Sequence, residues 1–506
     1  MSTFATRIWY GTFHEQSERR KLRFLPLFAW SLFVVLFVAA RLVLPFQPTD
    51  AGMIHARILD ALTHGQVWGR QALVGSLEFP LLSTVALLFA RQIGHVAGLP
   101  GSYILVLVAQ TWTVLYLLRM PQQKMMRIYV FLLLAVLMLS PEFQTAVFAL
   151  DPNWISVVPA IAAFYHLVKW GRLHALRDAV LLAVNCGFLA FSGPAGAALG
   201  LILLVVTAVT VRRLRQHYPD TDINGVSFIV WAPFAYCVLL FGLVNWLIMR
   251  DVAFPLHRLF RAIADCNIIC FLEHTARQAH NTPWIIAGGL VVTAVSLNRR
   301  HRMPGIALIC SLAGVVACHV LASAINLLLP ADALLQMTTG SVALLFPCLV
   351  LQPSEGRHKR WLAALILMAL AMAAAIAAPN RPRQRSNRIF KSPPPRGYIT
   401  AAVDQSWAGA RIMAYGIRAP AFYCDVQEKR FVARLDFREK DLLWRARDEQ
   451  VYLLVPPNNG TYYAETSTLA DIHTNGRRWL LLEENWPDGW QLWRCILLPK
   501  NEHEQY

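Results

Sequence analysis

The sequence has few charged residues and lacks the motifs of nucleotide-driven and metal-dependent hydrolytic proteins. Only 15% of its 506 residues are charged, 56% are hydrophobic, and the mean hydropathy is +0.43. A soluble globular protein of this length would not have this composition. A P-loop, a Rossmann fingerprint, a serine-hydrolase elbow and an HExxH zinc motif are all missing. These absences argue against ATP-driven transport and metalloprotease chemistry, and the composition indicates an integral membrane protein.

Cysteine is also sparse, and the nine cysteines show no zinc-binding spacing. Several lie inside apolar runs, where a thiol packs as a small hydrophobe: Cys186, Cys237, Cys310, Cys318 and Cys348. Two pairs, Cys266 with Cys270 and Cys424 with Cys495, are candidates for disulfides if their regions face an oxidising compartment.

Basic residues outnumber acidic ones, 47 Lys and Arg against 30 Asp and Glu, which gives a formal charge of +17. A nucleic-acid-binding protein would concentrate this charge on one soluble domain, whereas here it lies in short loops between apolar runs. The basic loops are therefore expected to mark the cytoplasmic side of a membrane protein, and we predict no nucleic-acid partner. The basic loops contain Arg119, Lys124 and Arg127; Lys169, Arg172 and Arg177; Arg212, Arg213 and Arg215; Arg299, Arg300 and Arg302; and Arg357, Lys359 and Arg360.

The apolar runs are long enough to cross a hydrocarbon core of about 30 Å as helices. About twelve runs occur, and all basic loops can be cytoplasmic only if one run does not cross. Residues 78–97 are the exception that we predict, because Arg91, Gln92 and His95 favour a helix in the interface plane. We therefore predict an α-helical, multi-pass inner-membrane protein with about eleven transmembrane helices, in-plane helices and a cytoplasmic N-terminus.

The composition changes near the C-terminus. Residues 1–378 are the predicted transmembrane domain, 379–397 a basic proline-rich linker, and 398–506 a small extracytoplasmic, periplasmic α/β domain. In that domain we predict strands at 450–455 and 479–482 and a helix over 406–415.

Two acidic residues come just before predicted helices on the non-cytoplasmic side. Asp50 follows Pro48-Thr49 and precedes an apolar stripe, and Asp151 is followed by Pro152. Either residue has a simple alternative role as a helix N-cap. A carboxylate at a membrane surface is also suited to general-base catalysis.

The order of these features resembles the GT-C superfamily of membrane glycosyltransferases, which includes protein mannosyltransferases and lipid A aminoarabinose transferases. The resemblance lies in residues 20–200: an acid early in a long first outer loop, Glu78-Phe-Pro-Leu-Leu82, and a second acid before a later span. It implies a polyprenyl-phosphate sugar donor and a lipid, glycan or protein acceptor. It implies that Asp50 is the general base and Asp151 a supporting acid. It leaves open a divalent cation, Mg²⁺ or Mn²⁺, bound by these two residues.

Basic residues of the predicted outer loops are candidates for binding the donor phosphate. Arg258 and Arg261 are spaced i, i+3 and would share one helix face. The alternative is a loop that contacts anionic lipid head groups without catalysis. The other candidate substrate- or phosphate-binding residues are Arg57, Arg70, Glu78, His257 and His274.

Two other functions are compatible with a polytopic membrane protein: a non-catalytic lipid or polysaccharide transporter, and an assembly scaffold. A transporter is expected to place ionisable residues along a path near the bilayer midplane. The apolar runs of this chain contain few acids, which favours the transferase.

Overall fold

The structure is a computed structural model. It describes residues 50–65, 80–119, 151–173, 175–217, 223–254, 288–293, 302–324, 401–404, 410–414, 450–455, 480–487 and 489–496, with shorter pieces at 31, 34–35, 69–70, 73–74, 256–257, 335, 338–340, 342–343 and 346. These residues divide into two compact units. The first contains the described residues up to 55 and those between 80 and 257 and between 288 and 346; the second contains those of 56–74 and 401–496.

Helices dominate the first unit. The described helices are α1 (Asp50–Thr63), α2 (Leu81–Ala97), α3 (Gly101–Arg119), a short 3₁₀ helix (Pro152–Ser156), α4 (Val157–Leu173), α5 (Leu176–Ala190), α6 (Pro194–His217), α7 (Ile223–Met249) and α8 (Arg302–Ala324). The first residues of α1, through His55, belong to the first unit, and the remainder belongs to the second. Helices α2 to α8 coincide with predicted apolar runs, so the prediction of helices is confirmed there. These runs are 78–97, 101–118, 154–170, 178–191, 195–211, 226–249 and 304–328.

Within the described residues, three helices contain stretches long and apolar enough to cross a membrane: 101–118, 194–212 and 225–249. The share of buried residues is 44% in the first stretch, 50% in the second and 6% in the third. Helix α7, which contains the third, therefore lies at the periphery of the described helices, with an apolar surface suited to lipid. The count of about eleven crossings stays a prediction.

Helices α2 and α3 meet at a tight corner. Gly98 ends α2 in the left-handed region, with φ of 67°, which glycine adopts without strain. Gly101 begins α3 so close to α2 that a Cβ atom there would lie 2.7 Å from the Cα of Arg91. Glycine at both positions is what permits so short a connection.

Helices α3 and α4 run in the same direction. Tyr116 of α3 packs against Tyr165 and His166 of α4, with ring centroids 5.7 and 6.1 Å apart. The 3₁₀ helix before α4 also contacts α3. His166 follows Ser156 by about ten residues, or about 15 Å of helix, and only a parallel arrangement allows α3 to make contacts at both levels. The start of α3 therefore lies beside the 3₁₀ helix.

Helix α5 returns antiparallel to α4, and the α5–α6 turn lies beside the start of α2, where the Leu82 N–H donates to the Phe191 carbonyl at 3.1 Å. The start of α2, the start of α3, the 3₁₀ helix and the α5–α6 turn are thus together at one end of the helical unit. We call this the proximal end, and the end near Leu173 and Leu176 the distal end.

The second unit contains a four-stranded sheet in the order β1-β2-β4-β3. Its strands are β1 (Arg411–Ala414), β2 (Val451–Val455), β3 (Leu480–Asn485) and β4 (Gln491–Cys495). Strand β1 pairs parallel to β2, and the other pairs are antiparallel. All residues of β2 are buried, as expected for a continuous apolar strand at the centre of a sheet.

The two predicted strands of this unit are confirmed as β2 and β3. The predicted helix over 406–415 is wrong at residues 411–414, which form β1. Pairing with β2 and complete burial of Ile412 outweigh the local helical preference. Cys495 is a buried free thiol, and Cys424 lies outside the described residues. The predicted boundaries at 378 and 397 also lie outside them and stay predictions.

Candidate functional site

The two acids of the predicted site occupy the starts of helical segments. Asp50 is the first residue of α1, and its side chain is outside the described part of the structure. Asp151 is buried and precedes the 3₁₀ helix, where its Oδ1 accepts a hydrogen bond from the Asn153 N–H at 2.9 Å. The capping role of Asp151 is therefore observed. Its role as a supporting acid or metal ligand stays a prediction.

Four buried polar side chains connect α1, α2 and the 3₁₀ helix at the proximal end. His55 Nδ1 lies 3.1 Å from the Thr84 hydroxyl, and the Ser83 hydroxyl donates to Asn153 Oδ1 at 2.8 Å. His55, Ser83 and Asn153 have no exposed surface, and Thr84 is 1% exposed. We call His55, Ser83, Thr84 and Asn153 the polar network.

The polar network is electrically neutral at pH 7. Burial lowers the pKa of His55 from 6.5 to about 4, and a polar contact with the Asn153 side chain offsets only part of this effect. An uncharged imidazole is stable in this dry surrounding because its partners are hydroxyl and amide dipoles rather than charges.

The network also relates the two acids to each other. Asp50 precedes His55 by about 7.5 Å along the axis of α1, at 1.5 Å per residue. Asn153 belongs to the segment that Asp151 caps. The same buried hydrogen bonds therefore fix the first turns of α1 and the turn that contains Asp151.

Two polar atoms next to this network, Asn153 Nδ2 and Ser156 Oγ, are buried and have no hydrogen-bond partner among the residues that the structure describes. Buried polar atoms are nearly always hydrogen-bonded in native proteins. The described residues therefore leave the hydrogen-bonding capacity of these two atoms unfilled.

The predicted phosphate-binding residues are only partly described. His257 is exposed, and its Nδ1 lies 3.2 Å from Asp251 Oδ2. Arg70 is exposed in the second unit, and Arg57 lies in α1 with its side chain undescribed. The remaining members lie outside the described residues, so their predicted role is not tested: Glu78, Arg258, Arg261 and His274.

A divalent metal was left open by the sequence. In the described ranges, no group of three or more His, Cys, Asp or Glu residues could bind a metal ion. Because the Asp50 side chain is outside those ranges, the metal stays a prediction.

Sequence reasoning missed the polar network. His55 lies three and four residues before Ile58 and Leu59, on the apolar stripe of α1. A histidine within such a stripe indicates a buried imidazole with a polar partner, and this spacing was the available signal. The partners could not be found in this way, because Thr84 is 29 residues away from His55 in the chain.

A second buried cluster lies toward the distal end. Asp178 of α5 has its Oδ1 2.9 Å from His166 Nδ1 and 3.5 Å from Lys169 Nζ, both in α4. The side-chain exposure is 3% for Asp178, 7% for His166 and 28% for Lys169, and the Lys169 ammonium lies 5.9 Å from the centroid of the Tyr165 ring. We call Asp178, His166 and Lys169 the charged cluster. Asp178 is in the first turn of α5, where the helix dipole favours an anion.

Comparison of the chain with protein-family models gives no match, and no curated protein matches it significantly. The functional assignment therefore depends on the residues of this chain.

Proposed function

We propose that this protein is a GT-C-like membrane glycosyltransferase. It transfers a sugar from a polyprenyl phosphate to a lipid, glycan or protein acceptor on the non-cytoplasmic face. The observation that supports this proposal most is the polar network, because its hydrogen bonds hold the helix that begins with Asp50 against the turn that Asp151 caps. Preorganised carboxylates are what acid–base catalysis requires.

The proposed reaction is a single displacement at the anomeric carbon. Asp50 accepts the proton of the acceptor hydroxyl or amine while that group attacks, and the bond between the anomeric carbon and the lipid phosphate breaks with its electron pair on the phosphate oxygen. Asp151 is the supporting acid. Basic residues of the predicted outer loops, Arg258 and Arg261 first among them, stabilise the charge of the departing phosphate.

The replacement of Asp50 by asparagine tests this role. Asp50→Asn should lower sugar transfer from a polyprenyl-phosphate donor by about 10²- to 10⁴-fold, which is the usual contribution of a general base. The measurement is the formation of glycosylated acceptor by the full chain in proteoliposomes, with membrane insertion of the variant checked in parallel.

Asp60→Asn is the matched control, because it removes a carboxylate from the same helix about three turns further along. It should transfer sugar at the wild-type rate. Wild-type turnover by correctly inserted Asp50→Asn protein would remove Asp50 as the base and with it the proposed mechanism.

The charged cluster favours a second candidate, the lipid or polysaccharide transporter. Buried ionisable residues between membrane helices often mark an ion or substrate path. The two candidates differ in the residue on which activity depends: a transporter should depend on Asp178 and tolerate Asp50→Asn, whereas the transferase should show the reverse.

A further inference from the structure

Strand β3 lies at one edge of the described sheet. Among the described strands it pairs with β4 alone, so one side of its backbone has no described strand beside it. The inner strand β2 is buried along its whole length. In β3, by contrast, Leu481 is 43% exposed and Leu482 is 42% exposed. An edge strand with exposed large apolar residues is a template for pairing with a further strand.

The two exposed leucines lie on different faces of the sheet, because successive side chains of a strand point to opposite faces. The layers that bury both faces of β2 therefore do not extend over β3. A helix or loop packed on one face would cover only one of the two leucines. A strand paired along the edge would cover both at once, since its own side chains would lie next to them on both faces.

A β-bulge limits how much of β3 can pair with such a strand. The register between β3 and β4 shifts between Leu482 and Glu484. A bulge bends its strand and interrupts the regular ladder. The regular stretch open to a new partner is therefore short, Leu480 to Leu482, and the residues that flank it must contribute to the choice of partner.

The flanking residues carry opposite charges. Glu483 and Glu484 follow the leucines, and Arg494 Nε lies 2.7 Å from Glu483 Oε1, so this arginine compensates only one of the two negative charges. Arg477 and Arg478, which lie outside the described residues, come shortly before β3 in the sequence. The segment thus changes from basic through apolar to acidic. Two copies in antiparallel order bring unlike charges together at both ends, whereas parallel copies bring like charges together.

We infer that β3 pairs antiparallel with β3 of a second copy of this chain, with Leu481 on the two-fold axis. Leu480 of each copy then lies opposite Leu482 of the other, and the bulges lie outside the paired stretch. A second copy fits this edge because one strand supplies both the apolar stretch and the complementary order of charges, as a two-fold interface requires. The inference does not depend on the proposed glycosyltransferase activity.

Disulfide trapping of the full chain in lipid vesicles tests the inference. The two copies of position 481 face each other, and opposed Cα atoms in an antiparallel pair are about 4.5–5.5 Å apart, a distance that a disulfide spans. Leu481→Cys is therefore the test variant. Asn485→Cys is the matched control, because Asn485 is exposed on the same strand but would lie more than about 20 Å from its counterpart. Disulfide-linked dimer is measured on non-reducing gels after mild oxidation, with the unsubstituted chain as background.

The expected result is several-fold more linked dimer from Leu481→Cys than from Asn485→Cys, which should remain at the background level. Equal yields from the two variants would show random collisions in the membrane. A Leu481→Cys yield at background would show that the two strands do not meet. Either outcome overturns the inference.

An exchange of charges tests the antiparallel order in the Leu481→Cys background. One chain carries Arg477→Glu and Arg478→Glu. The other carries Glu483→Lys and Glu484→Lys, and a tag distinguishes its mass. Each chain alone would place like charges together, so its linked dimer should decrease several-fold, while a mixture should form the linked heterodimer at the level of the Leu481→Cys protein. A mixture that yields no more heterodimer than either chain yields homodimer would contradict the pairing.

Discussion

The polar network lies beside the start of helix α4 and the charged cluster lies toward its end, and the two hold their polar side chains in opposite ways. At the proximal end, the polar network of His55, Ser83, Thr84 and Asn153 joins neutral groups by hydrogen bonds. Toward the distal end, the charged cluster pairs the Asp178 carboxylate with the Lys169 ammonium and with His166. Loss of one partner in the polar network leaves an unsatisfied dipole, which lowers the free energy of unfolding by about 1–3 kcal/mol. Loss of one partner in the charged cluster leaves an unpaired charge, which lowers it by about 3–5 kcal/mol. We therefore expect the charged cluster to matter more for stability, and the polar network to matter more for the placement of the acids.

The largest expected effect comes from removing both partners of Asp178, His166 and Lys169. The double variant His166→Leu, Lys169→Met leaves a buried carboxylate without a counter-charge and should lower the free energy of unfolding by about 3–5 kcal/mol. Denaturant unfolding of the detergent-solubilised protein measures this. Adding Asp178→Leu should recover most of the loss, because a wholly apolar cluster contains no uncompensated charge. If the triple variant is as unstable as the double one, packing rather than charge explains the effect.

The second largest effect is a pH dependence of the free energy of unfolding that His55 gives to the polar network. The pKa of His55 is about 4 in the folded protein and 6.5 when unfolded, so between these values the unfolded chain binds a proton that the folded protein does not. Proton binding by His55 in the unfolded chain therefore lowers the free energy of unfolding as pH falls from 6.5 toward 4, by about 3 kcal/mol in total, and has no effect above pH 6.5. His55→Gln removes this contribution, and the comparison of unfolding free energies of the two proteins at pH 7 and pH 4 isolates it. Parallel pH curves for the wild type and His55→Gln would contradict the assignment.

The smallest effect tests whether burial, rather than residue type, decides the strength of the charged cluster. His257 and Asp251 are the same pair of residue types at 3.2 Å, but their side chains are 64% and 27% exposed. Water screens such a pair, so His257→Ala should change the free energy of unfolding by less than about 1 kcal/mol. If His257→Ala lowers the free energy of unfolding as much as the His166→Leu, Lys169→Met variant does, solvent exposure does not explain the difference between the two pairs.

The helices were predictable because an apolar run of membrane length has few alternatives to a helix, and α3, α6 and α7 follow directly from such runs. Strand β2 was predictable for a similar reason, as a short apolar run that ends at Pro456. Strand β1 was not, because its conformation depends on a partner strand about 40 residues later.

Prediction of the two buried clusters would have required similar long-range information. Ser83 and Asn153 are 70 residues apart, and neither residue type marks a site by itself. His166 and Asp178 are only 12 residues apart, but a pattern of apolar runs does not reveal that the two positions face each other across the α4–α5 turn. Asp151 could be singled out from the sequence because it comes just before a predicted helix. The sequence did not distinguish a capping role of this residue from a catalytic one.

The corner at Gly101 has a mechanical consequence. Because no Cβ fits between Gly101 and the backbone of Arg91, α2 and α3 behave as the two arms of a stiff elbow. A side chain at position 101 would therefore force the start of α3 away from the end of α2. Helix α2 is also the element whose Ser83 and Thr84 contact Asn153 and His55, so the space at Gly101 bears on the segments that begin with Asp50 and Asp151.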